Sequence, residues 1–172
     1  MPLFVLLFTF FEYLLYNSYA KEITKGFEMD KLKIAIGSDH GGFRYKGIIE
    51  DYLKSKGIDF VDVGTNSPES CDYPVYAKKV AEKVANGEVD RGILICGTGI
   101  GMSITANKVK GIRASLCGDT FSARATRAHN NSNILCLGER VIGENLALDI
   151  VDIWLNTPFE GGRHQRRIDM IE

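Results

Sequence analysis

The fold turns on Ile93-Leu94-Ile95-Cys96-Gly97-Thr98-Gly99-Ile100-Gly101, an apolar run that ends in a cysteine and breaks into a glycine-rich turn. A short apolar run bounded by turn residues reads as a strand buried on both faces. Met102-Ser103-Ile104-Thr105-Ala106-Asn107-Lys108 then opens a helix. The glycines permit positive φ and let a ligand approach the backbone. The helix start aims free N–H groups and the positive end of its dipole at the turn. An anion, a developing oxyanion or a thiolate is stabilised in such a place, so Cys96 is a candidate reactive group. The competing reading is a plain strand-to-helix turn over a buried structural cysteine.

Two phosphate motifs do not fit the turn. G-T-G-I-G has no following Lys-Ser/Thr, so it is not a P-loop, and it lacks the third glycine of the dinucleotide fingerprint. Asp119 does follow a candidate strand where a ribose-binding acid would sit, which keeps a nucleotide reading open.

Outward from this centre, strands and helices alternate. Leu32 to Ile36 reads as strand one, and Gly37-Ser38-Asp39-His40-Gly41-Gly42 follows it. Phe43, Ile48, Ile49, Tyr52 and Leu53 recur at helical spacing up to Gly57. Ile58 to Val63 is strand two; a helix after Pro74 carries Tyr76, Val80 and Val84; Gly92 to Cys96 is strand three. Ile112 to Cys117 is strand four, Asp119 or Thr120 caps a helix to about Ala128, and Ile134 to Leu137 is strand five. Gly143 to Asn156 holds an amphipathic helix, and Arg163 to Ile171 a short basic one. This pattern predicts a single-domain, doubly wound α/β fold of the flavodoxin or Rossmann-like kind. Its five-stranded parallel sheet has helices on both faces and strand order 2-1-3-4-5. Ligands then bind where strands one and three part, so the Asp39-His40 loop and the Cys96 turn converge.

The 172 residues suffice for one domain with a real core, and 45% hydrophobic with 25% charged residues is a globular balance. A net charge of -1 offers no basic excess for nucleic acid. Cys71, Cys96, Cys117 and Cys136 form no C-x-x-C pair, which predicts reduced, mostly buried thiols in a cytoplasmic protein rather than disulfides or zinc ligands. Residues 1–28 begin with an apolar stretch that has no positive start for a signal peptide, and Glu12 and Asn17 spoil it as a membrane span. They read as an extension outside the domain, a mis-assigned start or added segment, with the domain running over 29–172 from a natural start at Met29.

The candidate chemistry sits on loops. Asp39 and His40 offer a carboxylate and an imidazole for acid–base work; a turn cap and a bonded loop histidine are their structural alternatives. His129-Asn130-Asn131-Ser132-Asn133 is a second polar loop, with Asn131 or Asn133 free to take a left-handed turn. Arg140, Arg163, His164, Arg166 and Arg167 gather near the end of the chain. The i,i+4 pair Arg163 and Arg167 suits a phosphate or carboxylate, where the plain alternative is a solvated helix face. A thiol, amide-lined glycines, two histidine loops and an arginine clamp suit proton transfer beside a carbonyl on a small phosphorylated substrate.

Several separated stretches resemble the ribose-5-phosphate isomerase type B family, which includes galactose-6-phosphate isomerase subunits. They are GSDHGG (37–42), DYP (72–74), ILICGTGIGMSITANK (93–108), IRA (112–114), AHNNSN (128–133), LGER (137–140) and EGGRHQRR (160–167). The resemblance runs from about Leu32 to Glu172. It implies cofactor-free and metal-free interconversion of ribose 5-phosphate and ribulose 5-phosphate through an enediolate. Cys96 is then the base; some members place a glutamate further along the loop, where this chain has Met102. Thr98 and the amides of Gly97, Gly99, Ile100 and Gly101 would stabilise the enediolate. His129 would open the sugar ring with Asp39 assisting. Asp39, His40 and Asn130 would bind hydroxyls, and Arg140, Arg163 and Arg167 the phosphate, with His164 near. It also implies a homodimer whose two sites each draw on both chains, with pairing into tetramers left open. The rivals are the same chemistry on galactose 6-phosphate, allose 6-phosphate or a free aldose, and a phosphosugar-binding module without catalysis.

Overall fold

The structure is a computed structural model and describes residues 32–171. The reading of residues 1–28 as an extension lies outside them. The elements are β1 (Lys33–Ser38), a 3-10 turn (His40–Gly42), α1 (Phe43–Ser55), β2 (Asp59–Asp62), α2 (Tyr73–Ala85) and β3 (Arg91–Cys96). They continue with α3 (Ile100–Ala106), β4 (Ala114–Leu116), α4 (Thr120–Asn130), β5 (Ile134–Gly138), α5 (Glu144–Asn156) and α6 (Arg163–Ile168). Every strand pairing is parallel, and helices cover both faces of the five-stranded sheet. No helix among the described residues is long and apolar enough to cross a membrane.

The strand order is 2-1-3-5-4 rather than the expected 2-1-3-4-5. Burial explains the exchange. All five residues of β5 are buried, so it needs a strand on each side and a helix layer on each face. β4 has three residues, of which only Ala114 is buried, so it suits the edge. The left half of the sheet, which places the loops after β1 and β3 side by side, is as expected: Ser38 stands opposite Ile95.

Alternation along the strands divides the core. Ile93 and Ile95 join Ile34, Ile36, Leu135, Leu137 and Trp154 on one face. Leu94 and Cys96 join Ala35, Ile134, Cys136, Val80 and Met102 on the other. The Cys96 side chain therefore belongs to the face covered by α2 and α3. The basic helix is shorter than its pattern, ending at Ile168 instead of Ile171.

Trp154 of α5 secures the second polar loop. Its indole N–H donates to Ser132 Oγ at 2.8 Å, and Arg91 and Arg127 lie over its ring at 5.4 and 5.8 Å. Asp119 caps α4 by accepting from Ser122 N–H at 2.7 Å, and Asn131 ends it at φ 47.

Candidate active site

Two loops meet over the carboxyl ends of β1 and β3. Asp39, His40, Gly41, Tyr73, Cys96, Gly97, Thr98, Gly101 and Arg140 line one cavity of about 270 Å³. The turn after β3 fits because Gly99 takes φ +77; a methyl there would lie 2.5 Å from Leu116 Cδ1 and 2.9 Å from the Leu137 carbonyl carbon. Only a residue without a side chain is comfortable in that conformation and that space. The Gly99 N–H then donates to Cys96 Sγ at 3.0 Å.

Cys117, just past β4, and Cys136, in the middle of β5, differ. Burial pushes the Cys117 thiol up to about 12, with the Asp119 charge adding to it, and pushes fully buried Cys136 higher still. Both stay protonated at neutral pH, whereas Cys96 opens on the cavity. All four cysteines are unpaired.

Asp39 is buried and caps the 3-10 turn, accepting from Gly41 N–H at 2.9 Å. The turn-cap reading is what the hydrogen bond shows, and Asp39 also lines the cavity. His40 Nδ1 accepts from Cys71 N–H at 3.2 Å, which leaves the ring proton on Nε2. Arg140 arches over the turn: its backbone N–H donates to Gly97 O at 3.0 Å, and a methyl at Gly97 would lie 3.4 Å from its Nε. Glu139 N–H donates likewise to Cys96 O at 2.9 Å.

The amides are less uniformly directed than the turn suggests. Gly99 N–H is taken by Cys96, Ile100 N–H donates to Thr98 Oγ1 at 3.4 Å, and Ile100 itself points out at 52% exposure. Gly97, Thr98 and Gly101 remain on the cavity wall. Tyr73 was not singled out as a site residue. Its ring packs where a methyl on Gly101 would come within 2.7 Å, so it roofs the cavity from the start of α2. Its only sequence signal is the Asp72-Tyr73-Pro74 stretch before a helix.

His129, Asn130, Arg163, His164 and Arg167 do not line this cavity. Asn130 borders a separate hollow with Arg113 and Lys110. His129, at the end of α4, stacks on buried His164 of α6, with ring centroids 4.3 Å apart and planes within 8°. Glu160 stands beside both, 4.0 Å from His129 Nε2 and 3.5 Å from His164 Nε2. Burial lowers the His164 pKa, and the charges of His129 and Arg163 add to this. One chain thus carries two separate groups: the Cys96 cavity with Asp39 and His40, and a cluster of His129, His164 and Glu160 beside Arg163.

A thiol beside polar side chains, in a cavity at the switch point of a parallel sheet, places the candidate site of this α/β protein where such folds bind small ligands. The chain belongs to the Ribose/Galactose Isomerase family, whose sequence profile matches residues 34–171. It is 54% identical over 139 residues to ribose-5-phosphate isomerase B of Escherichia coli (strain K12), covering 81% of this chain and 93% of that one. The solved ribose-5-phosphate isomerase B of Clostridium thermocellum is 58% identical, with a TM-score of 0.81 over 81% of this chain and 95% of that one. The Mycoplasma genitalium enzyme, solved with bound ribulose-5-phosphate, is 48% identical, with a TM-score of 0.79 over 82% and 94% of the two chains.

Proposed function

We propose that the chain interconverts ribose 5-phosphate and ribulose 5-phosphate, with Cys96 moving the proton between C2 and C1. The observation that carries this is the Cys96 sulfur at the cavity floor, held by the Gly99 N–H at 3.0 Å. The thiolate takes the C2 proton of the open-chain aldose, and the electron pair passes to O1 as the enediolate forms. The O2 hydroxyl proton passes to O1, and O2 closes the ketone as the C1=C2 electron pair takes the proton back from the thiol at C1. Thr98 and the Gly97 and Gly101 amides face the developing oxyanion. Asp39 and the Nε2–H of His40 bind hydroxyls.

His129 opens the sugar ring, assisted by Asp39, and Asn130 binds a hydroxyl. Arg140, Arg163 and Arg167 hold the phosphate beside His164. These groups reach Cys96 from a second copy of the chain. What favours the homodimer is an apolar face beside the turn, where Ile100, Leu116 and Val141 are 52, 43 and 64% exposed and border one hollow. Phe121 on α4 is 78% exposed. Four unpaired thiols suit a reducing compartment such as the cytoplasm.

The test is deuterium exchange at C1 and C2 of ribose 5-phosphate in heavy water. Wild type should exchange and form ribulose 5-phosphate, and Cys96→Ala should do neither while melting cooperatively. Exchange that survives in Cys96→Ala removes the thiol from the reaction. Exchange only on six-carbon phosphates moves the substrate to that class.

A further inference from the structure

We propose that His129, Glu160 and His164 bind a divalent transition-metal ion of the zinc type, and that the bound ion switches the isomerase off by occupying His129. The inhibitory half rests on the role given to His129 above; the binding itself does not. The ligand atoms of the three residues all lie within 4.8 Å of one another. Zinc takes imidazole nitrogen and carboxylate oxygen at about 2.0–2.2 Å, and a tetrahedral set then has its ligands roughly 3.4 Å apart. The Glu160 oxygens, at 3.5 and 4.0 Å from the two Nε2 atoms, are close to that spacing already.

One ligand is fixed and two can adjust. His164 is buried, and its Nε2 accepts from Arg163 Nε–H at 3.4 Å, so that nitrogen carries the lone pair a metal takes once the exposed Arg163 side chain swings aside. Glu160 is anchored by its backbone, its N–H donating to Ala128 O at 3.0 Å, while its side chain is 57% exposed. His129 is 44% exposed and has room to tilt out of the parallel stack so that both imidazole lone pairs converge. Water completes the shell. Arg163 and Arg167 oppose a cation here, and the Glu160 carboxylate offsets one charge. The site is therefore weaker than that of a resident metal, as suits an ion that comes and goes.

Cobalt(II) and zinc titrations of the full chain test this. Cobalt should bind at one ion per chain with visible ligand-field bands and without the intense near-ultraviolet band of a thiolate ligand. Glu160→Gln and His164→Gln should each weaken binding at least about tenfold. Zinc should inhibit isomerisation, read against each protein's own metal-free rate, in step with occupancy, and chelation should restore it. A thiolate band, or unchanged affinity in both variants, overturns the site. Binding without inhibition overturns the switch. Were the proposed reaction itself wrong, cobalt binding and its loss in the variants would persist.

Discussion

Replacing Gly99 by alanine tests whether the turn conformation holds the Cys96 sulfur in its working state. Two costs are added. An L-residue at φ +77 bears about 1–2 kcal/mol of left-handed strain. The new methyl would sit 2.5 Å from Leu116 Cδ1 and 2.9–3.0 Å from the Leu137 carbonyl group. Leu116 can swing aside; the β5 backbone cannot, and overpacking of this kind costs about 1–3 kcal/mol. The sum, roughly 2–5 kcal/mol, corresponds to a fall in Tm of about 4–20 °C for a chain of this size. Gly57 is the control, because it has φ +68 and open space around its Cα, so Gly57→Ala bears the strain alone. Thermal melts and turnover on ribose 5-phosphate are measured for both. Gly99→Ala should lose more stability than Gly57→Ala. It should also lose turnover beyond what its folded fraction explains, because relieving the clash pulls the Gly99 N–H off sulfur. Equal losses in the two variants would refute the reasoning.

Arg167→Ala should cut kcat/KM on phosphorylated sugars by roughly 10- to 150-fold, the worth of one charge-assisted bond, and leave unphosphorylated aldoses unaffected; equal losses on both would detach Arg167 from the phosphate. Inactive Cys96→Ala and impaired Arg167→Ala chains, mixed in equal amounts and refolded together, should reach about a quarter of wild-type activity, above either variant alone, since half the dimers are mixed and each holds one intact site. No recovery would place each site within one chain. Glu50 has its pKa raised, by burial first and then by Asp62, against the pull of Lys46. Its charge therefore opposes folding once pH rises through the folded pKa, and the penalty vanishes below the unfolded value. Glu50→Gln should raise Tm at pH 7 and lose that advantage as pH falls below about 4, which melts across pH will show.

The half of the sheet that builds the thiol site was legible because its signals are local. Ile93 to Cys96 alternate between two cores, and a fully buried strand must be central. Which strand then lies beside β3 was not legible from spacing. β4 and β5 have similar apolar patterns, and only the three-residue length of the paired part of β4 and the full burial of β5 send the first to the edge. Lys46 was invisible for another reason. Helical periodicity puts apolar residues inward, yet this lysine is buried on α1, where its ammonium donates to Asp62 and to Thr65 O. Glu50 stands one helical turn on, but its hydrogen-bond partners lie 16 and 19 residues along the chain, across a strand, and no periodic pattern encodes those.

The candidate site divides along the same line. Asp39, His40 and Cys96 meet because β1 and β3 are neighbours in one sheet, a fact of topology that alternating elements imply. Tyr73 needed the three-dimensional fit against Gly101 to be seen. His129, Arg163 and Arg167 were recognisable as chemistry, and the structure adds that His129 stacks on buried His164 while Trp154 pins the loop after α4 through Ser132. This cluster lies away from the Cys96 cavity of its own chain. It becomes useful if two-fold symmetry carries it to a neighbour's thiol. Each chain then presents one half of two equivalent sites, and the exposed Ile100, Leu116 and Val141 beside the glycine turn give that symmetry an apolar surface to close on.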